Sequence, residues 1–168
     1  IGTLREEGLL DDTILLFTSD HGDMLGNHGL WAKRLYYERS ANVPMLLVGG
    51  RDGRVPHHTL DERLVGWQDI MPTLLDLAGL DIPDSVEGLS MAGEETRTAL
   101  YGECGESAGA CRMLRDNRYK LIYYPVGNCV QLFDLEEDPD ELNDLSQSPA
   151  HAKIREELTH KLSTEFYG

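Results

Sequence analysis

Short apolar runs alternate with polar loops along this chain, and the period of each run predicts an element. Thr13-Ile14-Leu15-Leu16-Phe17-Thr18 is continuously apolar, the pattern of a strand covered on both faces in a parallel sheet. A second run, Val43-Pro44-Met45-Leu46-Leu47-Val48, ends at Gly49-Gly50, and Pro44 stands at its start, where a missing N–H is tolerated. The two runs are expected as neighbouring strands. Ile70, Leu74, Leu75, Leu77 and Ala78 recur at helical spacing, with Asp69 as the candidate N-cap and Gly79 as the stop. Residues 1–8 read as the last turns of a helix closed by Gly8.

The pattern changes after residues 81–96, a connection rich in Pro, Gly, Ser and Glu. Four short runs follow at 99–103, 112–115, 119–124 and 130–135, separated by turn residues such as Asp116-Asn117 and Gly127-Asn128, which predicts a small antiparallel sheet. Ser148-Pro149 opens a terminal helix. Its apolar face, Ile154, Leu158, Leu162 and Phe166, is expected to pack on that sheet. The expected organisation is an α/β core over 1–96 and a sheet-plus-helix subdomain over 97–168.

Composition excludes several functions. With 168 residues and 40% hydrophobic content, one globular unit can close a core. Fifteen Lys and Arg against thirty Asp and Glu give a formal charge of -15, which repels a phosphate backbone, so no nucleic-acid partner is expected. No apolar run is long enough to span a bilayer, so no membrane partner is expected either. A soluble protein follows, with cytoplasm and periplasm both open. Cys104, Cys111 and Cys129 are odd in number and lack CxxC spacing, which suits neither a disulfide framework nor a zinc site. They are expected as idle thiols, with a Cys104–Cys111 or Cys111–Cys129 pairing left open for an exported protein. The start at Ile1, without an initiator Met or a signal-type run, reads as a fragment whose upstream part lies elsewhere. A sheet cut beside its strands is expected to self-associate or to be only marginally stable.

Chemistry concentrates just past the first predicted strand, where open α/β sheets place their ligands. Asp20 and His21 supply a carboxylate and an imidazole, and Gly22 beside them permits a sharp turn. Such a pair suits a divalent cation without selecting among calcium, manganese, magnesium and zinc. A bare Asp-His-Gly is more often a capped turn than a ligand pair. Here, however, Asp23, Asn27, His28, Gly29, Trp31 and Lys33 follow in the same loop. Lys33 can stabilise a tetrahedral oxyanion, and His28 can protonate a leaving alkoxide or hold the ester oxygen.

At this point the sequence becomes recognisable. The block from Thr18-Ser19-Asp20-His21-Gly22 through Asn27-His28-Gly29-Leu30-Trp31-Ala32-Lys33, followed by Val43-Pro44, resembles the second signature block of the sulfatase family, within the alkaline phosphatase-like superfamily. Asp69-Ile70-Met71-Pro72-Thr73-Leu74-Leu75-Asp76 continues the likeness, as do Tyr119-Lys120-Leu121-Ile122 and Leu132-Phe133-Asp134-Leu135. The resemblance implies that 1–96 is the C-terminal portion of a parallel or mixed sheet with helices, carrying half a metal site. It implies Asp20 and His21 as ligands of a divalent metal, calcium first and manganese or magnesium as alternatives, and Lys33 as a sulfate contact. Pro72, Asp76, Asp134 and Asp138 are expected to play structural roles at caps and turns.

The family's N-terminal block, with paired metal-binding aspartates and a Cys-x-Pro-x-Arg or Ser-x-Pro-x-Arg motif that matures to formylglycine, has no counterpart here. No proline follows Cys104, Cys111 or Cys129 at the required offset. The expectation is therefore a sulfatase fragment acting on sulfate esters only with a nucleophile-bearing N-terminal segment, and inactive alone. Phosphonate monoester or phosphodiester hydrolysis is the first alternative, and a non-catalytic acidic or metal-binding module the second. Glu103, Arg112 and His57-His58 are weaker candidates for a substrate pocket, and His151 and His160 are expected on a solvated helix face.

Overall fold

The computed structural model describes residues 1–49 and 53–167, with side chains through residue 165. Gly50 and the Phe166 side chain lie outside the described residues. The chain divides into two compact units, one made of residues 1–20 and 44–96 and the other of 21–43 and 97–168. Residues 21–43 group with the C-terminal sheet. Met24 and Tyr37 account for this, because both are buried with Cys111, Ile122 and Phe133.

In the first unit, helix α1 (Gly2–Glu6) is followed by Gly8 at φ +70°. Strands β1 (Ile14–Thr18) and β2 (Met45–Gly49) pair as expected, but they run antiparallel, from Ile14 opposite Gly49 to Thr18 opposite Met45. A continuous apolar run indicates two apolar faces and carries no information about strand direction. Alternation puts Leu15, Phe17, Leu46 and Val48 on one face. On that face Phe17 is 64% exposed, and Leu46 and Val48 are 50% exposed.

Helix α2 (Glu38–Ala41) lies in the second unit; in the first, a 3-10 turn at Trp67–Asp69 leads into helix α3 (Ile70–Leu77), which buries Pro72, Thr73 and Leu77. Asp69 is not a side-chain cap for this helix. Its buried carboxylate accepts the Gly66 N–H and the Leu89 N–H, both at 2.8 Å. Thr73 Oγ1 accepts the Met91 N–H at 2.8 Å, and the Asp76 carboxylate accepts from Ser90 and from Arg54. The 81–96 connection is therefore pinned to α3. Gly88 fits there because a Cβ would lie 1.9 Å from the Gln68 carbonyl oxygen.

In the second unit, β3 (Leu100–Cys104), β4 (Cys111–Arg115), β5 (Tyr119–Tyr124) and β6 (Cys129–Asp134) form the expected antiparallel meander in sequential order. Leu114, Leu121 and Leu132 pack against Leu158 and Leu162 of helix α4 (Ala152–Tyr167), with Ile154 beside them. The opposite face, with Cys111, Ile122 and Phe133, is covered by residues 24–37. Asp134 closes the end of β6 by a bidentate bond with Arg118 and by accepting the Glu136 N–H. These bonds, the Arg118 pairing foremost, hold its carboxyl below the usual range. Asp138 accepts the Asn143 N–H, so both aspartates shape turns as expected. His160 is exposed, but His151 is half-buried and meets Tyr119 edge to face at 6.3 Å. Its Nδ1 lies 2.9 Å from the Ser148 hydroxyl, which makes no cap bond to the helix backbone.

Candidate functional site

Asp20 is exposed, two residues past the end of β1. The Ser19 carbonyl preceding it accepts the Trp67 indole N–H at 2.9 Å, and the Ser19 hydroxyl lies 3.4 Å from Asp20 Oδ1. His21 begins the segment that belongs to the second unit. Its Nδ1 lies 2.7 Å from the Gly22 carbonyl, so the N–H sits there and Nε2 is the basic nitrogen. The Lys33 ammonium donates to that Nε2. Two of the sequence-predicted residues, His21 and Lys33, are thus brought into direct contact.

Gly22 serves a purpose other than a sharp turn, since its backbone is not left-handed. Its N–H donates to the Ser40 carbonyl at 2.8 Å, and a Cβ would lie 2.0 Å from the Arg39 carbonyl oxygen. Close approach of two backbones requires the glycine. Gly22→Ala is expected to cost about 1–3 kcal/mol through overpacking, read as a lower urea midpoint, with unchanged stability counting against this close approach.

Between Gly22 and Tyr37 the chain folds on itself. The Met24 N–H donates to the Ala32 carbonyl and the Gly26 N–H to the Leu30 carbonyl. Leu25, His28, Ala32 and Arg34 all have positive φ, between 47° and 81°. Such conformations are costly for residues with a Cβ and persist where surrounding contacts over-determine them. Ala32 and Arg34 flank Lys33, so the strain sits on either side of the candidate oxyanion contact.

His28 bonds to Asp140 and stacks on Tyr37. Its ring stacks on Tyr37 with centroids 4.2 Å apart and planes 15° from parallel. Its Nε2 donates to the Asp140 carbonyl at 3.1 Å. A proton engaged by a backbone carbonyl is poorly placed for transfer to a leaving group.

The sequence reading missed three residues beneath this loop: Glu38 at the start of helix α2 (Glu38–Ala41), Lys120 on β5 and Glu141. Lys120 Nζ donates to Glu38, to Glu141 Oε1 at 2.8 Å and to the Tyr36 carbonyl at 2.8 Å. Burial pushes the Glu38 carboxyl up, but Lys120 and Arg115 more than offset this and leave it below the ordinary range. A signal was available, because Lys120 shares its strand face with Ile122 and Tyr124, an inward position that a lysine occupies only when paired.

Arg112 pairs across β3 and β4 with Glu103 at 3.0 Å. His57 and His58 are exposed. The three cysteines are free thiols. Cys104 and Cys111 are opposed across β3 and β4, and burial, with Cys104 next, pushes the Cys111 thiol up to about 11. A thiol so raised is no nucleophile near neutral pH. Among the described residues no group of three or more His, Cys, Asp and Glu is arranged to hold a metal, and no helix is long and apolar enough to cross a membrane.

The family model described as N-sulphoglucosamine sulphohydrolase, C-terminal, matches residues 26–166. An arylsulfatase of Clostridium perfringens is 38% identical over 177 residues, covering 98% of this chain and 36% of that protein. A choline-sulfatase of Rhizobium meliloti is 38% identical over 158 residues, covering 89% of this chain and 30% of that protein. The crystal structure of a phosphonate monoester hydrolase of Agrobacterium radiobacter superposes with a TM-score of 0.80 at 28% identity, covering 97% of this chain and 36% of that one. The chain thus spans about a third of the length of these relatives. With a sulfatase-family model matching most of its length and sulfatases among its relatives, the chain belongs to the sulfatase family and corresponds to a C-terminal part of it.

Proposed function

We propose that this chain supplies the oxyanion-binding loop and two metal ligands of a sulfuric ester hydrolase. The observation that carries the reading is the contact of the Lys33 ammonium with His21 Nε2, on a ring whose other nitrogen is fixed by the Gly22 carbonyl. A histidine oriented by a carbonyl at Nδ1 presents Nε2 in the form that ligates metals. Asp20, the preceding residue, is exposed and contributes a hard carboxylate oxygen. The mixed oxygen and nitrogen donor set does not itself select the cation, since calcium prefers oxygen ligands while manganese, magnesium and zinc accept the mixture; calcium is the first choice through the family resemblance alone, with manganese or magnesium as alternatives. When bound, the metal supplies positive charge to the ester oxygens.

Lys33 then turns its ammonium from His21 to a sulfate oxygen, and it stabilises the charge that develops there as the ester bond breaks. The left-handed residues on either side hold its backbone in place. His28 orients the loop through Asp140 and Tyr37, a role the geometry favours over general acid. No cysteine of this chain fits the formylglycine nucleophile, since none precedes x-Pro-x-Arg and Cys111 is buried in the sheet. That group belongs to a segment outside residues 1–168, and the chain by itself is proposed to be inactive.

A phosphonate monoester hydrolase among the structural neighbours makes phosphonate ester hydrolysis the second reading. Rates of the full-length protein on 4-nitrophenyl sulfate, phosphate and phenylphosphonate separate the two. Higher kcat/KM on the sulfate is expected. Higher kcat/KM on the phosphonate overturns the sulfatase reading in favour of its neighbour.

A further inference from the structure

The loop that carries Lys33 is strained, and its restraint comes from elsewhere in the chain. Lys120 is 1% exposed at its side chain and spends all three ammonium donors on Tyr36 O, Glu38 and Glu141. Glu141 spans two of the same groups, since its Oε1 accepts from Lys120 and its Oε2 accepts the Glu38 backbone N–H at 2.6 Å. The ion cluster therefore grips the backbone at both Tyr36 and Glu38, at the loop's exit. Glu38 is further held by Asn42 at 2.7 Å, with Arg115 3.9 Å away.

Asp140 extends the same grip to the far side of the loop. Its carbonyl accepts from His28 Nε2, and its carboxylate pairs with Arg39 at 3.2 Å. Tyr37, between the two gripped backbone groups, stacks under His28 and donates its hydroxyl to Gln131 of β6 at 3.1 Å. Glu141 is itself left-handed at φ +57°, a conformation that needs external support in a residue with a Cβ.

We propose that Lys120, Glu38 and Glu141 are positioning residues that fix the conformation of the Lys33 loop. If stability alone were served, apolar side chains of similar volume would do as well or better at this buried place. What apolar groups cannot supply is direction. Each bond of the cluster ends on a defined backbone or carboxylate atom of the loop's exit, and together they leave the segment one register over β5. The positioning role rests on the reading of Lys33 as an oxyanion contact, but its structural content is tested without turnover.

The experiment is amide hydrogen exchange and imidazole NMR on the chain, comparing Glu38→Gln and the triple variant Lys120→Met, Glu38→Gln, Glu141→Gln with the parent. The triple variant removes the charges of Lys120, Glu38 and Glu141 together and leaves Arg115, 26% exposed at its side chain, without the Glu38 carboxylate; Glu38→Gln alone is a mild change should the triple variant not fold. In both, the Met24, Gly26 and Gly29 amides are expected to exchange faster, by about tenfold or more in the triple variant, while β4, β5 and α4 keep their protection. The His28 ring protons are expected to lose the upfield shift that stacking on Tyr37 imposes. Unchanged loop exchange with an intact His28 shift overturns the proposal, as does a uniform acceleration of loop and sheet, which marks a cluster that only stabilises. Neither readout depends on sulfate hydrolysis, so failure of the functional reading and failure of this one are seen separately.

Discussion

Lys33→Ala in the full-length enzyme is expected to lower kcat/KM on an aryl sulfate by about a hundred- to a thousand-fold, the usual cost of removing one preorganised oxyanion contact. The loss should fall mainly on kcat, because the charge that Lys33 meets grows only as the ester bond breaks. Lys33→Arg should recover little. A guanidinium is a planar fork suited to two parallel bonds, and the loop delivers a single point charge between two left-handed residues. Metal affinity provides the control. The Lys33 ammonium donates to His21 Nε2, so its removal should leave calcium affinity unchanged or raised. A fall in kcat/KM of less than threefold would show that the ammonium merely partners His21 in the loop.

The parts of the fold legible in the sequence are those with a clean local period. β3 to β6 follow turn-bounded runs, and α4 follows a 3.6-residue apolar face, so their boundaries fall within a residue or a few of the expected ones. Strand direction was not legible for β1 and β2, because side-chain alternation is the same for parallel and antiparallel neighbours. Nor was the membership of residues 21–43. Met24 and Tyr37 lie in a stretch with no strand or helix period, and nothing within ten residues of either shows that they meet Phe133.

Of the candidate site, Asp20, His21 and Lys33 stand out in the sequence because they fall in a long signature block, and the structure adds the contact between His21 and Lys33. The support beneath them stands out less. Its members are Glu38, Lys120 and Glu141, more than eighty residues apart from the first to the second, and only the inward phase of Lys120 on β5 betrays the cluster. His28 shows the reverse case. Its residue type suggests proton transfer, while its bond to the Asp140 carbonyl and its stacking on Tyr37 favour the anchoring role proposed for it.

The largest stability effect is expected at Phe133, which is 1% exposed and joins both parts of this arrangement. It is opposite Lys120 across β5 and β6, and it packs against Met24, Tyr37, Cys111 and Ile122. Phe133→Ala should cost about 3–5 kcal/mol, from lost burial and from a cavity that a hydrogen-bonded sheet cannot close. For a chain of this size that corresponds to a fall of about 10 °C in Tm. Phe133→Leu, which retains most of the volume, should cost about 1.5 kcal/mol or less. The comparison with Leu158→Ala on the other face is informative. Both remove a buried apolar side chain, but only the Phe133 cavity opens beside the Lys120 ammonium, where water would screen the bonds to Glu38 and Glu141. Phe133→Ala should therefore accelerate amide exchange in residues 24–37 beyond what its global destabilisation predicts, and Leu158→Ala should not. Equal behaviour of the two variants would mean that the core under the loop and the ion cluster are energetically independent.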